Sequence, residues 1–158
     1  MSSRRRALRT AAAGVVVACA LVASACVTNV TGPVRTPTTY EHKAAATAAT
    51  ASSNVATASL LAHAGAEDRA TFPYLSVVVS EAEDALAAAR STFDAIQPPD
   101  EASEEVRDEL DALLDAASAD VTEARIAIRR GDRAPLAGLA TRLEQDATDL
   151  SDFEERYR

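Results

Sequence analysis

Tryptophan is absent, and only three Phe and three Tyr occur in 158 residues. A core built from this chain has few large anchors and must be filled by small aliphatic side chains. Cysteine is nearly absent as well. Both examples, Cys19 and Cys26, lie in the first 26 residues, so no disulfide or thiolate metal site can form downstream. Glycine is scarce, and arginine outnumbers lysine fifteen to one. Acidic residues are missing from the first 40 positions, where Arg4, Arg5, Arg6 and Arg9 stand. From Cys26 onward 12 basic and 24 acidic residues remain, a net charge of −12. Such a body repels phosphate backbones, which argues against nucleic-acid binding and against lying flat on an anionic membrane. There is no Gly-x-Ser-x-Gly elbow, no phosphate loop and no Glu-x-x-His pair. The expectation is therefore a non-enzymatic chain with no cofactor.

What is present begins with a basic segment, MSSRRRALRT, and an apolar one, AAAGVVVACALVASA, residues 11–25. This is the layout of a secretory signal peptide, and 15 residues fall short of the roughly 20 needed to span a bilayer. Ala23, Ser24 and Ala25 before Cys26 resemble the lipobox of bacterial lipoproteins, with Ala23 where that pattern carries an aliphatic residue. Val16, Val17 and Ala18 before Cys19 resemble it too, but cleavage there leaves an apolar ALVASA on the product and a very short apolar region. Cys26 is the better site. The resemblance implies that Cys26 becomes a diacylated N-terminus, and several acyl chains anchor stably where one is marginal. Arg4, Arg5 and Arg6 also resemble the twin-arginine export signal, with Ala7 where that pattern has Phe. The Ala/Arg-rich chain as a whole resembles small helical lipoproteins of high-GC Gram-positive bacteria, most of which have no assigned function.

Residues 27–39, VTNVTGPVRTPTT, read as an extended spacer of at most roughly 45 Å. Thr38-Thr39-Tyr40-Glu41 reads as a capping box. Helix one carries Ala44, Ala48, Ala51, Val55, Ala58 and Ala62 at spacings of four and three, a thin stripe for which a Ser/Thr/Ala low-complexity segment is the alternative. Leu60 and Leu61 argue that its end packs, and Gly65 marks a turn. Helix two, capped by Thr71, places Leu75, Val79, Ala82, Leu86, Ala89, Phe93 and Ile96 in a heptad and stops at Pro98-Pro99. Helix three, capped by Asp100, shows Val106, Leu110, Leu113, Ala117, Val121, Ala124 and Ile128, with Gly131 as its C-cap. Helix four, capped by Asp132, shows Leu136, Leu139, Leu143, Ala147, Leu150, Phe153 and Tyr157. The expected fold is all-α: an up-down-up-down four-helix bundle over 39–158, after a signal peptide (1–25) and a lipidated Cys26 with a flexible tether (26–38).

The candidate site residues are few. His42 and His63 lie roughly 31 Å apart on one helix and cannot share a metal. Asp120 and Asp146 fall beside apolar stripes, with heads expected in water. Arg129-Arg130-Gly131-Asp132-Arg133 contains an Arg-Gly-Asp triplet, but the Gly and Asp are accounted for as caps. Its arginines suit the negative helix C-terminus, and Arg129, Arg130 and Arg133 are also the candidate contacts to an envelope protein or an anionic wall polymer. If the chain enters at the membrane, the turns at Gly65 and Gly131 lie at the far end and the Pro98-Pro99 turn lies near the bilayer. The expectation is an extracytoplasmic, membrane-anchored interaction or envelope-structural module. The alternative is a ligand- or metal-binding bundle serving a transporter.

Overall fold

The computed structural model describes residues 36–158. The expected signal peptide, Cys26 and the expected tether up to Arg35 lie outside the described residues. Four helices form an antiparallel bundle: α1, Pro37–Ala66; α2, Phe72–Asp94; α3, Glu101–Arg130; and α4, Leu136–Tyr157. No described helix is long and apolar enough to cross a membrane.

α1 starts two residues earlier than the capping-box reading. Thr36 is the cap, its hydroxyl accepting from the Thr39 N–H at 3.3 Å, and Pro37 fits the first turn, where no N–H is needed. The thin stripe is real: all six of its apolar residues are buried. The hydroxyls of Thr47, Thr50 and Thr57 donate to carbonyls one turn back, so the polar face satisfies itself within the helix. Of the two leucines near its end, Leu61 is buried and Leu60 is 70% exposed. Gly65 is not a turn residue. It is buried in the last turn, where an added Cβ would lie 2.8 Å from Leu136 Cδ1 and 3.2 Å from Leu75 Cδ1. Its missing side chain lets α2 and α4 close over the end of α1.

The other helices follow the expected stripes with local differences. Thr71 occupies the α2 cap position but makes no hydroxyl cap bond, and the helix ends at Asp94, leaving Ile96 beyond it. Asp100 caps α3 through the Ser103 N–H at 2.9 Å. Leu114 rather than Leu113 joins Leu110 as a fully buried leucine of α3, because Leu113 falls at the stripe's edge toward the α3–α4 groove. Gly131 takes the left-handed conformation, φ +67°, and its N–H and that of Asp132 close the last carbonyls of α3. Asp132 does not cap α4. Its carboxylate accepts from the Ala134 N–H at 3.1 Å within the turn, and Pro135 stands at the cap position.

α1 packs closely against all three other helices, most extensively against α4, while α2 and α4 make no close backbone approach. The cross-section is therefore a rhombus with α1 and α3 on the short diagonal. Small side chains on α1 permit this. Ser52 donates to the Ala147 carbonyl at 2.8 Å, and Ser59 donates to the Ala140 carbonyl at 2.9 Å. The two bonds are seven residues apart on each helix and fix one antiparallel register. A hydroxyl reaches a neighbouring backbone only when the helices are near the lower end of the usual 8–10 Å separation.

The six aromatics are sorted by end. Tyr40, Phe93, Phe153 and Tyr157 lie where the chain enters, with Tyr40–Phe93 centroids at 5.3 Å and Phe153–Tyr157 centroids at 4.7 Å. Ala58 is fully buried on the central helix, so Ala58→Leu overfills the seam and should lower stability by about 1–3 kcal/mol. Ser59→Ala should cost only about 1 kcal/mol, because the Ala140 carbonyl keeps its place in the α4 ladder. Urea unfolding followed by far-UV circular dichroism checks both.

Candidate functional site

Two turns meet at the end of the bundle remote from Thr36. The turn after α1 carries Asp68, a non-glycine residue at φ +58°, a conformation that Asp tolerates. Arg133 from the turn after α3 forms an ion pair with Asp68 and lies 4.8 Å above the Phe72 ring. Phe72 in turn lies 3.8 Å from where a Gly131 Cβ would stand. Arg133 is therefore occupied as a clamp between the two turns.

Arg129 and Arg130 are different. Both are exposed on the last turn of α3. The other eight arginines among the described residues each hold an ion pair or hydrogen bond with a described partner. These two hold none. The α3 carbonyls beside them are already closed by backbone N–H groups, so capping does not consume their donors.

At the opposite end Arg107 joins three elements. Its Nε–H donates to the buried Tyr40 hydroxyl at 3.2 Å, and its Nη2 donates to the carbonyls of Asp94 and Ile96. It ties α1 and the end of α2 to α3. Nothing in the sequence singled out this residue, because its partners come from segments 13 and 67 positions away. Asp111, one turn on, has a buried carboxylate oxygen with no hydrogen-bond partner, and burial together with Asp94 pushes its pKa up.

Asp120 and Asp146 do face each other across α3 and α4, in contrasting settings. Arg142 clamps Asp120 at 3.0 and 3.1 Å and reaches Glu123 at 2.5 Å. Asp146 is left with a buried, unpartnered Oδ2. Burial, then the negative charges of Asp120 and Asp149, push its pKa up to about 6, and Arg142 opposes this only in part. The expectation that its head stands in water holds only in part: the residue is half-buried at the stripe's edge, and its Oδ2 is covered. Asp120 is half-buried as well, its side chain 19% exposed and held by Arg142.

His42 and His63 both lie on α1. His63 lines an open groove between α1 and α4 with Leu60, Glu144, Thr148 and Asp152. A second open groove, between α3 and α4, is lined by Glu109, Asp149, Asp152 and Glu155 with Arg156. Among the described residues no three His, Cys, Asp or Glu side chains are grouped to hold a metal ion.

The Asp146 carboxyl makes folding pH-dependent. Its folded pKa of about 6 lies above the ordinary 3.8, so the folded state keeps the proton longer. Stability from this group is full below the unfolded value and falls as pH rises through about 6. Asp146→Asn should therefore stabilise the protein by about 1 kcal/mol at pH 7, since solvent screens a half-exposed group, and by little at pH 4. Urea midpoints of both proteins at the two pH values check this. No protein-family model, no curated protein and no solved structure matches this chain.

Proposed function

We propose that the protein is a lipid-anchored extracytoplasmic module that acts by binding another envelope component and not by catalysis. The carrying observation is the sequence Ala23-Ser24-Ala25-Cys26 at the end of an apolar run, followed ten residues later by the α1 cap at Thr36. A spacer of that size spans at most roughly 35 Å, which holds a folded body close to the bilayer. Because α1 and α3 start at the same end, the turns bearing Arg129, Arg130 and Arg133 stand roughly 45 Å from the chain entry. The acidic start of α3, with Asp100, Glu101, Glu104 and Glu105, stands near the membrane. Anionic headgroups repel that acidic end, so the body is held off the lipid surface and presents its arginine-bearing tip outward. Arg129 and Arg130, which have no ion pair or hydrogen bond among the described residues, are in position to meet an envelope protein or wall polymer.

The test is intact mass and membrane fractionation of the native protein beside Cys26→Ala. The expected native mass corresponds to cleavage before Cys26 plus acyl chains, with the variant unprocessed or lost from the membrane fraction. A native protein that carries no acyl chain and is found free in the medium contradicts the anchor.

A further inference from the structure

The outer corner formed by the start of α2 and the end of α3 combines two kinds of exposed group. The first is the pair Arg129 and Arg130, which hold no ion pair or hydrogen bond with a described residue. The second is apolar. Ile126 is 38% exposed, and Val77 is 58% exposed. Ile126 lies three and four residues before the two arginines, so all three share one face of α3. The Arg90–Asp115 pair and the Glu83–Thr122 hydrogen bond set the α2–α3 register and bring Ser76 level with Arg129. Val77 follows Ser76 on the exposed side of α2. Scattered exposed apolar residues are ordinary, but Ile126 here shares its face of α3 with the two arginines whose donors are unused, and Val77 is exposed at the same level on α2.

We propose that this corner docks an acidic, partly apolar peptide segment of another protein. Desolvated arginines flanked by apolar side chains are the residue types that carry binding energy in protein interfaces. A polyanion fits less well. Residues 36–158 carry 24 acidic against 11 basic side chains, so a long anionic polymer is repelled beyond the corner, where Arg129 and Arg130 are the arginines unpaired among the described residues. The proposal rests on the reading of the bundle as a binding module but not on the anchor. It can be tested on detergent-extracted protein, whatever the fractionation result.

Three probes distinguish the cases: a short helical peptide with an apolar stripe flanked by glutamates, polyglutamate, and polyphosphate. Binding is read by fluorescence anisotropy and by amide shifts in NMR spectra. The amphipathic peptide should bind most tightly and shift amides in 73–78 and 125–131. Arg129→Glu with Arg130→Glu should weaken it by at least about tenfold, and Val77→Ser with Ile126→Ser should weaken it several-fold. All four positions are exposed, and unchanged circular dichroism would show that the variants remain folded. Failure of the peptide to bind, shifts confined to other faces, indifference to the charge reversal, or equal binding of polyglutamate or polyphosphate would each overturn the proposal.

Discussion

The close approach of α1 to α4 is the constraint on which the bundle depends. α1 supplies mostly alanine to the core, and alanine gains little from leaving water. What it gains is proximity: small side chains let backbones come near, and many short-range contacts replace a few large ones. Ser52 and Ser59 show how near, since each hydroxyl reaches an α4 backbone carbonyl at under 3 Å. The same closeness explains Gly65, where even a methyl group would meet Leu75 and Leu136. It also places α1 against α3 on the short diagonal and leaves α2 and α4 apart. Bulky side chains come mainly from the other three helices: Leu75, Leu86 and Phe93 of α2, Leu110, Leu114 and Ile128 of α3, and Leu136, Leu139, Leu143, Leu150 and Phe153 of α4.

Charge follows a second logic. Most arginines are spent within the molecule, several of them bridging helices: Arg90 to Asp115, Arg125 to Glu83, Arg142 to Asp120, Arg156 to Glu109. Such exposed pairs contribute little stability individually. Their larger effect is to neutralise local fields in a strongly acidic body and to favour one antiparallel register over its neighbours. Arg107 goes further, since its guanidinium also satisfies carbonyls freed at the end of α2. Against that background Arg129 and Arg130 stand apart, and so does Asp146, whose covered Oδ2 has no hydrogen-bond partner among the described residues.

The helices were legible because their signals are local. Stripes at spacings of three and four, Asp100 as a cap, Gly131 as a left-handed C-cap and Pro98-Pro99 as a stop need only neighbouring residues. The errors have a common cause. Thr38 and Asp132 carry the chemistry of caps, yet Thr36 and Pro135 take those positions, because Pro37 fits a first turn and Asp132 is used inside its own turn. Gly65 reads as punctuation when only the α2 and α4 leucines reveal it as a packing contact. Leu113 and Leu114 are neighbours, and which one faces inward depends on where the third and fourth helices cross. The site was less legible. The arginine cluster is visible in the sequence, but its division into a clamped Arg133 and two unused neighbours depends on Asp68 and Phe72 from a different turn. The burial of Asp146 beside Asp120 is likewise a property of two helices, not one.

The most direct measurement is native-state amide hydrogen exchange across α1 and α4. If the Ala/Ser seam holds the bundle together, the amides around Ser52–Ser59 and Ala140–Ala147 exchange most slowly, only through global unfolding. Their protection should then match the free energy of unfolding measured by urea. Fast exchange along α1, with the slowest amides confined to α2 and α3, would show that α1 is an adornment of a smaller core and would contradict this account.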